Sequence, residues 1–393
     1  MAQQILVVGA GIAGLATAVA LQRRGHRVAI VESRTDTSSG AGISIWPNAL
    51  AALDDIGLGD RVRAAGGPVA AGALRWRDGR WLRHPTADRI VNALGEPLVV
   101  VQRSALMDIL TDALSDGTLR RGVAAQHIVA TDSGVQVTLS DSTTCSVSGV
   151  IGADGINSVV ARHLNGPLNH RYAGYTAWRG VAECALDPDL AGETLGAGLE
   201  FGHVPMGPNR TYWFATERAP QGNAAPDGEL AYLQTRFGAW AQPIPALLAA
   251  TDPAQVLRND LYDRDQARRW SRGPVVLVGD AAHPMRPHLG QGGCQGLEDA
   301  AILARFVDHT ADVSAAFAGF EAFRRRRVRS LVRESAWIGR VVNLRPALLS
   351  ALASRATVLV PEAVLTHHLA SVAARSAFVA PTLSEAGQAR PAG

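Results

Sequence analysis

The chain has 393 residues, 47% of them hydrophobic and 19% charged, which is enough apolar material for one large domain or two interleaved domains. Every residue in the combined lysine and arginine total is an arginine, so Schiff-base chemistry through lysine is excluded. A net charge of +3 does not indicate nucleic-acid binding without a clustered basic face. The three cysteines form no CxxC pair and no metal-ligand spacing, which predicts no bound metal and a reduced cytoplasmic setting.

The N-terminal segment has the pattern of a complete βαβ unit. An apolar run at 5–8 leads through a helical pattern into a second strand pattern that ends at Glu32. Gly9 would permit the tight turn, Gly11 would let the backbone approach a pyrophosphate, and Gly14 would let the helix pack closely. Glu32 would bind ribose hydroxyls and repel a 2'-phosphate, so the unit predicts a site for FAD or NAD rather than NADP. We assign three neighbouring residues to the same site: Ala13, Ser33 and Arg34.

The segments that follow decide between FAD and NAD. A NAD-dependent dehydrogenase domain would continue with alternating strands and helices, but here a polar loop follows Glu32, and then a helical pattern runs from about Pro47 to Gly57. Asp78 and Gly79 lie between alternating apolar and polar residues, which predicts a β-hairpin. The doubly wound pattern is therefore broken, and FAD is favoured.

The middle of the chain changes character near residue 171. Before it, a strand at 98–101 leads into a helix at about 103–114, and an apolar run ends in the turn 152–155. From 171 to 268 the strands are rich in aromatic residues, and their alternation predicts antiparallel strands with one wet face. Five residues are candidates for a substrate pocket, although core packing or a structural hydrogen bond is the commoner role for each: Tyr175, Trp178, His203, Trp213 and His288.

The segment 275–300 combines a short strand, a turn and a glycine-rich helix start. Its apolar run stops at Gly279 and Asp280, and a loop with two prolines then leads to Gly290, Gly292 and Gly293. Asp280 is placed to accept a hydrogen bond from a sugar-like hydroxyl. The positive end of the following helix would favour an electron-rich or anionic group, so the segment predicts a cofactor site.

The C-terminal third is predicted to be helical. The helical pattern after Gly293 continues through residue 331, and its arginines at 324–327, 329 and 333 predict a solvated helix face rather than a binding patch. The apolar stretch 346–379 is interrupted by arginine, proline and histidine, which predicts packing helices and no membrane span. The N-terminus has no signal-peptide pattern, and the last ten residues have the composition of a disordered tail.

Three motifs carry a family resemblance: GAGIAG at the N-terminus, GADG at 152–155, and GDAAHPM followed by GQGG at 279–293. In this order they resemble the single-component (class A) FAD-dependent aromatic monooxygenases, salicylate hydroxylase-like enzymes with the para-hydroxybenzoate hydroxylase fold. The resemblance implies an α/β fold in which residues 1–70, 98–170 and 269–333 form a Rossmann-like βαβ FAD-binding domain. Residues 71–97 and 171–268 would form an inserted mixed-sheet substrate-binding domain, and 334–393 the C-terminal helices and tail.

The resemblance also implies roles for single residues. Asp280 would hold the ribitol chain of FAD, and Asp154 with its neighbouring backbone would serve FAD near the path of NAD(P)H. Arg103 matches a family arginine that reaches FAD, with a surface ion pair as the alternative. Ala161 stands where the family usually carries an arginine, and Arg162 follows it. Residues matching the segments that pass the isoalloxazine ring are Gly42, Ile43, Pro287, Gly290, Gly292 and Gly293.

The implied activity is that of an NADH- or NADPH-consuming monooxygenase. Reduced FAD would react with O2 to form a C4a-hydroperoxyflavin, which would hydroxylate or epoxidise a small aromatic or electron-rich cyclic substrate. No residue is assigned as a catalytic acid or base, and the sequence predicts no oligomeric state. Two alternatives remain open: an FAD-dependent dehydrogenase, reductase or cyclase on the same fold, and a non-catalytic carrier or escort protein.

Overall fold

The computed structural model describes residues 2–36, 40–70, 72–131, 134–344 and 346–382. The strands are β1 (Gln4–Val8), β2 (Arg27–Glu32), β3 (Gly42–Ile45), β4 (Gly67–Val69), β5 (Ala73–Trp76), β6 (Trp81–Arg83), β7 (Leu98–Gln102), β8 (Leu119–Arg121), β9 (Ala125–Thr131), β10 (Gly134–Leu139), β11 (Thr144–Val147), β12 (Gly149–Gly152), β13 (His170–Ala182), β14 (Gly192–Gly196), β15 (Leu199–Pro205), β16 (Thr211–Glu217), β17 (Leu257–Arg264), β18 (Ser271–Arg272) and β19 (Val275–Leu277). The helices are α1 (Ile12–Gln22), α2 (Pro47–Asp55), α3 (Gly59–Ala65), α4 (Ala87–Leu94), α5 (Arg103–Asp112), α6 (Val159–Asn165), α7 (Glu229–Phe237), α8 (Ile244–Ala249), α9 (Gly292–His309), α10 (Val313–Val342), α11 (Ala347–Ala356) and α12 (Glu362–Ala373).

A six-stranded sheet in the order β18-β19-β12-β1-β2-β8 forms the centre of the larger hydrophobic core. All neighbouring strands are parallel except the short edge pair β18 and β19. Helices α1 and α9 pack against each other beside the sheet. Parallel strands covered on both faces need continuous apolar sequence, which explains why Ile5, Leu6 and Val7 are all fully buried.

The register of this sheet brings three glycine motifs to one edge. Val8 pairs with Gly152, and Gly152 pairs with Leu277, so β1, β12 and β19 end at the same level. The turns that follow the three strands are therefore neighbours, although they are far apart in the sequence. Ligands of open α/β sheets bind outside this carboxyl edge, which places the candidate site.

A second, seven-stranded sheet in the order β17-β13-β16-β15-β14-β5-β6 lies apart from the first. Its strands are antiparallel except for the parallel pair β5 and β14. One face packs under α7 and α8 in a separate core cluster that includes Trp178, Phe201 and Trp213. The opposite face is turned toward the loop 284–293, because its residues Tyr175 and Glu200 lie next to His288.

The C-terminal helices differ from the predicted continuous helix. Helix α9 ends at His309 and α10 begins at Val313. The Asp312 side chain caps α10 by accepting from the Ser314 N–H at 2.9 Å. Helix α10 then packs on α9, and α12 packs on α4. No single helix in the described ranges is both long and apolar enough to cross a membrane. Residues 347–359 and 362–373 reach the length and apolar composition of a membrane span only when taken together, and the two helices meet at a bend of 101°.

Candidate active site

The first turn at the carboxyl edge has the geometry that the glycine fingerprint predicts. Gly9 has a φ of +104°, and a Cβ there would lie 2.4 Å from the Ala153 carbonyl oxygen. A Cβ on Gly14 would lie 2.0 Å from the Gly9 carbonyl oxygen, so only glycine lets α1 approach this closely. Beside Gly11 no atom of the described residues lies within 4 Å of the Cβ position, so its backbone borders open space.

Glu32 fixes the shape of this turn. Its Oε2 accepts the Ala10 N–H at 2.7 Å, and its Oε1 accepts the Arg34 N–H at 2.9 Å. The carboxylate therefore lies between the end of β2 and the glycine turn. The Arg34 guanidinium extends outward to Asp36 at 3.1 Å, and Ser33 is exposed beside it. The structure thus brings Glu32 to the turn and leaves Ser33 and Arg34 at its rim.

Asp280 occupies the second turn, directly after β19. Its side chain is solvent-accessible although both of its chain neighbours are buried, and surrounding protein groups still raise its pKa, as expected for a group in a cleft that is open to solvent. Burial among protein groups raises the pKa of Asp280, against the opposing effect of His283, Arg103 and Arg264. Burial likewise lowers the pKa of Arg103, which interacts with Asp280. We call the space bordered by Gly11, Arg103 and Asp280 the carboxyl-edge cleft.

A buried ionic network holds the Asp280 turn in place. Asp299 Oδ2 accepts the Gly279 N–H at 2.8 Å and lies 2.6 Å from His283 Nε2. Arg324 donates to Asp299 at 2.8 Å and to Glu298 at 2.6 Å. Burial would raise the pKa of Asp299, but His283 and Arg324 lower it to about 2. The carboxylate is therefore ionised and anchors the turn through α9.

This network corrects the prediction that residues 324–327, 329 and 333 form a solvated helix face. Arg324 is only 1% exposed, because α10 packs that face against α9 and its two acidic residues. Arg327 also reaches Glu298, at 3.1 Å. Arg326, Arg329 and Arg333 are exposed as predicted. The sequence gives no signal that distinguishes the buried Arg324 from the arginines of the same helix that stay exposed.

The third turn contains Asp154. Its Oδ2 accepts the N–H groups of Val159 and Val160 at 2.7 and 3.3 Å, so it caps α6. The buried Oδ1 has no hydrogen-bond partner among the described residues, and burial raises the pKa of the group. A buried acceptor left unpaired beside the glycine turn is expected where a ligand hydroxyl or N–H completes the site. Arg162 is turned away, since it donates to the Asn157 carbonyl.

Arg264 joins the second and third turns, and no local sequence pattern predicts this position. It is 3% exposed and donates to the carbonyl oxygens of Ala281 at 2.9 Å and Ile156 at 3.3 Å. It also interacts with Asp280 and Asp154 electrostatically. Arg264 ends a strand of the second sheet, so only the tertiary fold brings it here.

The glycine-rich loop and the segment 42–45 meet at the far end of the site. Gly290 has a φ of +61°, and a Cβ there would lie 2.8 Å from Trp46 Nε1. A Cβ on Gly293 would lie 3.0 Å from Ile43, and one on Gly42 would lie 2.5 Å from Tyr212. Helix α9 begins at Gly292 without a side-chain cap, which leaves its first N–H groups available. Pro287 is exposed in the same loop. Ala13 on α1 packs closely against the Asp280 turn and α9, since a Cβ on Gly279 or Gly296 would lie 2.8 or 3.0 Å from its Cβ.

Two of the substrate-pocket candidates come together. Tyr175 Oη lies 2.9 Å from His288 Nε2, and His288 Nδ1 lies 3.7 Å from Glu200. Burial lowers the pKa of His288 and raises the pKa of Tyr175, so both groups are neutral near pH 7. The Thr216 hydroxyl donates to Glu200 at 2.9 Å. Tyr175, His288 and Glu200 therefore form a polar cluster on the sheet face that is turned toward the glycine loop.

The other three candidates lie on the opposite face. Trp178 donates to Glu229 at 2.6 Å, Trp213 donates to Thr251 at 2.9 Å, and both pack under α7 and α8. His203 contacts Phe201 in the same direction, and burial with Arg75 lowers its pKa to about 3. Alternate residues of a strand point to opposite faces, and these three side chains point toward α7 and α8 and away from the glycine loop. The expectation that they line a substrate pocket is therefore corrected. Phe214 and Tyr212 take the opposite side of β16 from Trp213.

Comparison with known proteins gives one family and several similar chains. A model of the FAD binding domain family matches residues 2–335. Aurachin C monooxygenase/isomerase of Stigmatella aurantiaca is 38% identical over 341 residues, covering 86% of this chain and 89% of that protein. FAD-dependent urate hydroxylase of Klebsiella pneumoniae is 34% identical over 334 residues, covering 83% and 87%. The solved structure of Klebsiella pneumoniae HpxO with FAD and uric acid has a TM-score of 0.87 at 29% identity, covering 94% of this chain and 96% of that one.

Proposed function

The chain belongs to the FAD binding domain family, and from this premise we propose how its residues hold the cofactor and which substrates it accepts. It is an FAD-dependent monooxygenase with the fold that the motifs predicted, as its relatives are. The observation that carries this assignment is the meeting of the three glycine turns at one sheet edge. A carrier protein would not need all three.

We propose that the carboxyl-edge cleft holds FAD through contacts from several segments. Glu32 would accept the adenosine ribose hydroxyls, the N–H groups at Gly11 would meet the pyrophosphate, and Asp280 would accept from the ribitol chain. The uncapped start of α9 would face the electron-rich edge of the ring system. Arg103, which interacts with Asp280 across the cleft, is well placed to neutralise phosphate charge. Ser33, Arg34, Gly42 and Ile43 would complete the rim.

Bound FAD supplies hydride acceptance from NADH or NADPH and the activation of O2 that the family uses. The chain's own part is to orient the reactants and exclude water. The second sheet covers the cleft with apolar and aromatic groups, including Tyr212, which lies against Gly42. Tyr175 and His288 hold a neutral hydrogen-bonding pair beside the glycine loop, where a substrate hydroxyl or ring N–H would be positioned.

We propose that the substrate is a small electron-rich ring carrying a hydrogen-bonding N–H or O–H group rather than a carboxylate. Glu200 is 4% exposed on the face next to His288. Burial and the neighbouring Glu200 raise the pKa of Glu193 to about 8, so Glu193 is mostly protonated near pH 7 and this part of the sheet disfavours a further negative charge. A carboxylate substrate would be repelled there, and Arg286 is engaged by Asp263 at 2.5 Å. The name of one relative refers to urate, a ring that has N–H groups and no carboxylate.

We propose the domain division given by the motifs: residues 1–70, 98–170 and 269–333 for FAD, 71–97 and 171–268 for substrate, and 334–393 at the C-terminus. The two sheets and their separate core clusters support it. The unpaired cysteines Cys145, Cys184 and Cys294 support a reducing, cytoplasmic setting.

Oxidation of NADH and NADPH by the purified protein tests the substrate class. Uncharged quinolones and purines should stimulate oxidation, and benzoates should not. Glu200→Gln should raise the response to benzoates, whereas Glu183→Gln, at an exposed position directly after β13, should behave as wild type. A wild-type preference for benzoates would refute the substrate proposal. Incorporation of labelled oxygen from O2 into product separates the monooxygenase from a dehydrogenase or cyclase.

A further inference from the structure

Helix α11 has its polarity reversed relative to an ordinary surface helix. Ser350 and Ser354 face inward and are buried, while Leu348 and Leu352 face outward and are 66% and 56% exposed. Ser350 is held by polar contacts, since its Oγ accepts the Gly198 N–H at 3.2 Å and donates to the Val342 carbonyl at 2.6 Å. A surface helix normally buries its apolar stripe. Leu348 and Leu352 are therefore left uncovered by the described residues.

The exposed apolar surface continues past the end of α11. The chain turns at Thr357–Leu359 and enters α12 with a bend of 101°, and Leu359 at this corner is 84% exposed. We define the C-terminal apolar face as the exposed residues Leu344, Leu348, Leu349, Leu352, Val358, Leu359 and Val364. All seven lie within residues 344–364, so the apolar exposure is concentrated in one segment, and concentrated apolar exposure is typical of a binding surface.

Helix α10 adds a basic stripe that leads into this face. Its exposed arginines at 326, 329, 333 and 340 are spaced by three, four and seven positions, so they share one side of the helix, with Trp337 among them at 61% exposure. Three of these four arginines line a groove of about 1140 Å³, which Arg269, Arg272 and Arg325 also border. Among the described residues that line this groove, Glu321 is the only carboxylate. It already accepts hydrogen bonds from Ser271 and Arg325.

The carboxylates near the apolar face are also paired. Glu334 contacts His368, and Glu362 lies 3.8 Å from Arg89. The surface thus combines exposed leucines, a tryptophan and arginines that form no ion pair with a carboxylate of the described residues. Nucleic acid would use the arginines without the leucines, and self-association would bring two sets of arginines together. An anionic lipid surface uses all three kinds of side chain.

We propose that the C-terminal apolar face docks the protein on an anionic lipid bilayer, with the α11–α12 corner inserted among the headgroups and the basic stripe of α10 lying over them. The bend of 101° keeps the two helices on the surface rather than across the bilayer. This proposal is independent of the substrate assignment, because the face lies outside the carboxyl-edge cleft.

Flotation of the FAD-loaded full chain with vesicles tests it. The protein should float with vesicles of mixed phosphatidylglycerol and phosphatidylcholine, and weakly or not at all with phosphatidylcholine alone. The triple variant Leu348→Gln, Leu352→Gln, Leu359→Gln should lower the bound fraction by about tenfold. The double variant Arg333→Gln, Arg340→Gln should bind the anionic vesicles more weakly than the wild type. Its binding should also depend less on the salt concentration.

Matched controls keep the result interpretable. Val129→Gln changes an exposed apolar residue on β9, outside this face, and should bind vesicles as wild type does. Flavin content, measured on every variant, should stay unchanged, which shows that each variant folds. Failure of the wild-type protein to float, or equal binding by the triple variant, would overturn the proposal. So would a wild-type dimer that the triple variant dissociates while neither binds vesicles, because the face would then be a self-interface.

Discussion

Asp280 is the residue on which cofactor retention depends most directly. Its side chain borders the carboxyl-edge cleft, and its turn is anchored by Asp299. We expect Asp280→Ala to lower the flavin content of the purified protein severalfold, because a ribitol hydroxyl would lose a charged acceptor worth about 1.5–3 kcal/mol. Released flavin is measured by absorbance. Asp112→Ala, in a surface pair with Arg61, is the control and should keep its flavin. Full flavin content in Asp280→Ala would refute the assignment.

Arg324 is the residue on which the stability of the site depends. We expect Arg324→Met to lower the free energy of unfolding by about 3–5 kcal/mol, because it leaves the buried carboxylates of Glu298 and Asp299 without their main cation. Arg326→Met, an exposed position on the same helix, should change it by less than about 0.5 kcal/mol. Chemical denaturation measures both. Equal effects of the two variants would contradict the network.

The lowered pKa of Asp299 predicts how the free energy of unfolding depends on pH. Its pKa is lowered from 3.8 to about 2 in the folded protein, so the folded state binds its proton less readily than the unfolded state does. The stabilisation is therefore present above pH 4 and is lost as the pH falls from about 4 toward 2. Unfolding curves at a series of acidic pH values should show this loss, and Asp299→Asn should show a flatter dependence over the same range. A wild-type profile as flat as that of the variant would count against the lowered pKa.

At the scale of elements, the β1–α1 turn admits no side chain at its first glycine. We expect Gly9→Ala to abolish flavin binding, because the φ of +104° is strained for alanine and its Cβ would lie 2.4 Å from the Ala153 carbonyl oxygen. Gly25→Ala is a matched control, since its φ is +83° but no described atom lies within 4 Å of the Cβ position. The control should lose only about 1 kcal/mol of stability and retain flavin. Flavin loss in both variants would show that strain alone, and not the turn, is responsible.

The elements also show what sequence can predict. The βαβ unit and the turns at Asp154 and Asp280 follow from local patterns, because glycine spacing and apolar runs are set within one strand and helix. Which face of the second sheet meets the cleft does not follow. Trp213 and Phe214 are both apolar neighbours on β16, and their directions depend on where α7 and α8 pack. The burial of Arg324 depends similarly on α9, which lies about 25 residues away in the sequence.

At the scale of the whole molecule, the cleft is built from parts that are distant in the chain. Arg264 from the second sheet joins the turns of Asp154 and Asp280, and Arg324 from α10 anchors the latter. Cofactor binding should therefore stabilise both sheets together. FAD at about 100 times its Kd would add about 2.7 kcal/mol to the free energy of unfolding.

The most direct test of the central claim is the absorbance spectrum of the purified wild-type protein, followed by anaerobic addition of NADH or NADPH and then of O2. The structure predicts bound FAD, bleaching by one or both reductants, and recovery of the oxidised spectrum with consumption of O2. A protein that carries no flavin and cannot be reconstituted with FAD would contradict the assignment of the carboxyl-edge cleft, and with it the proposed function.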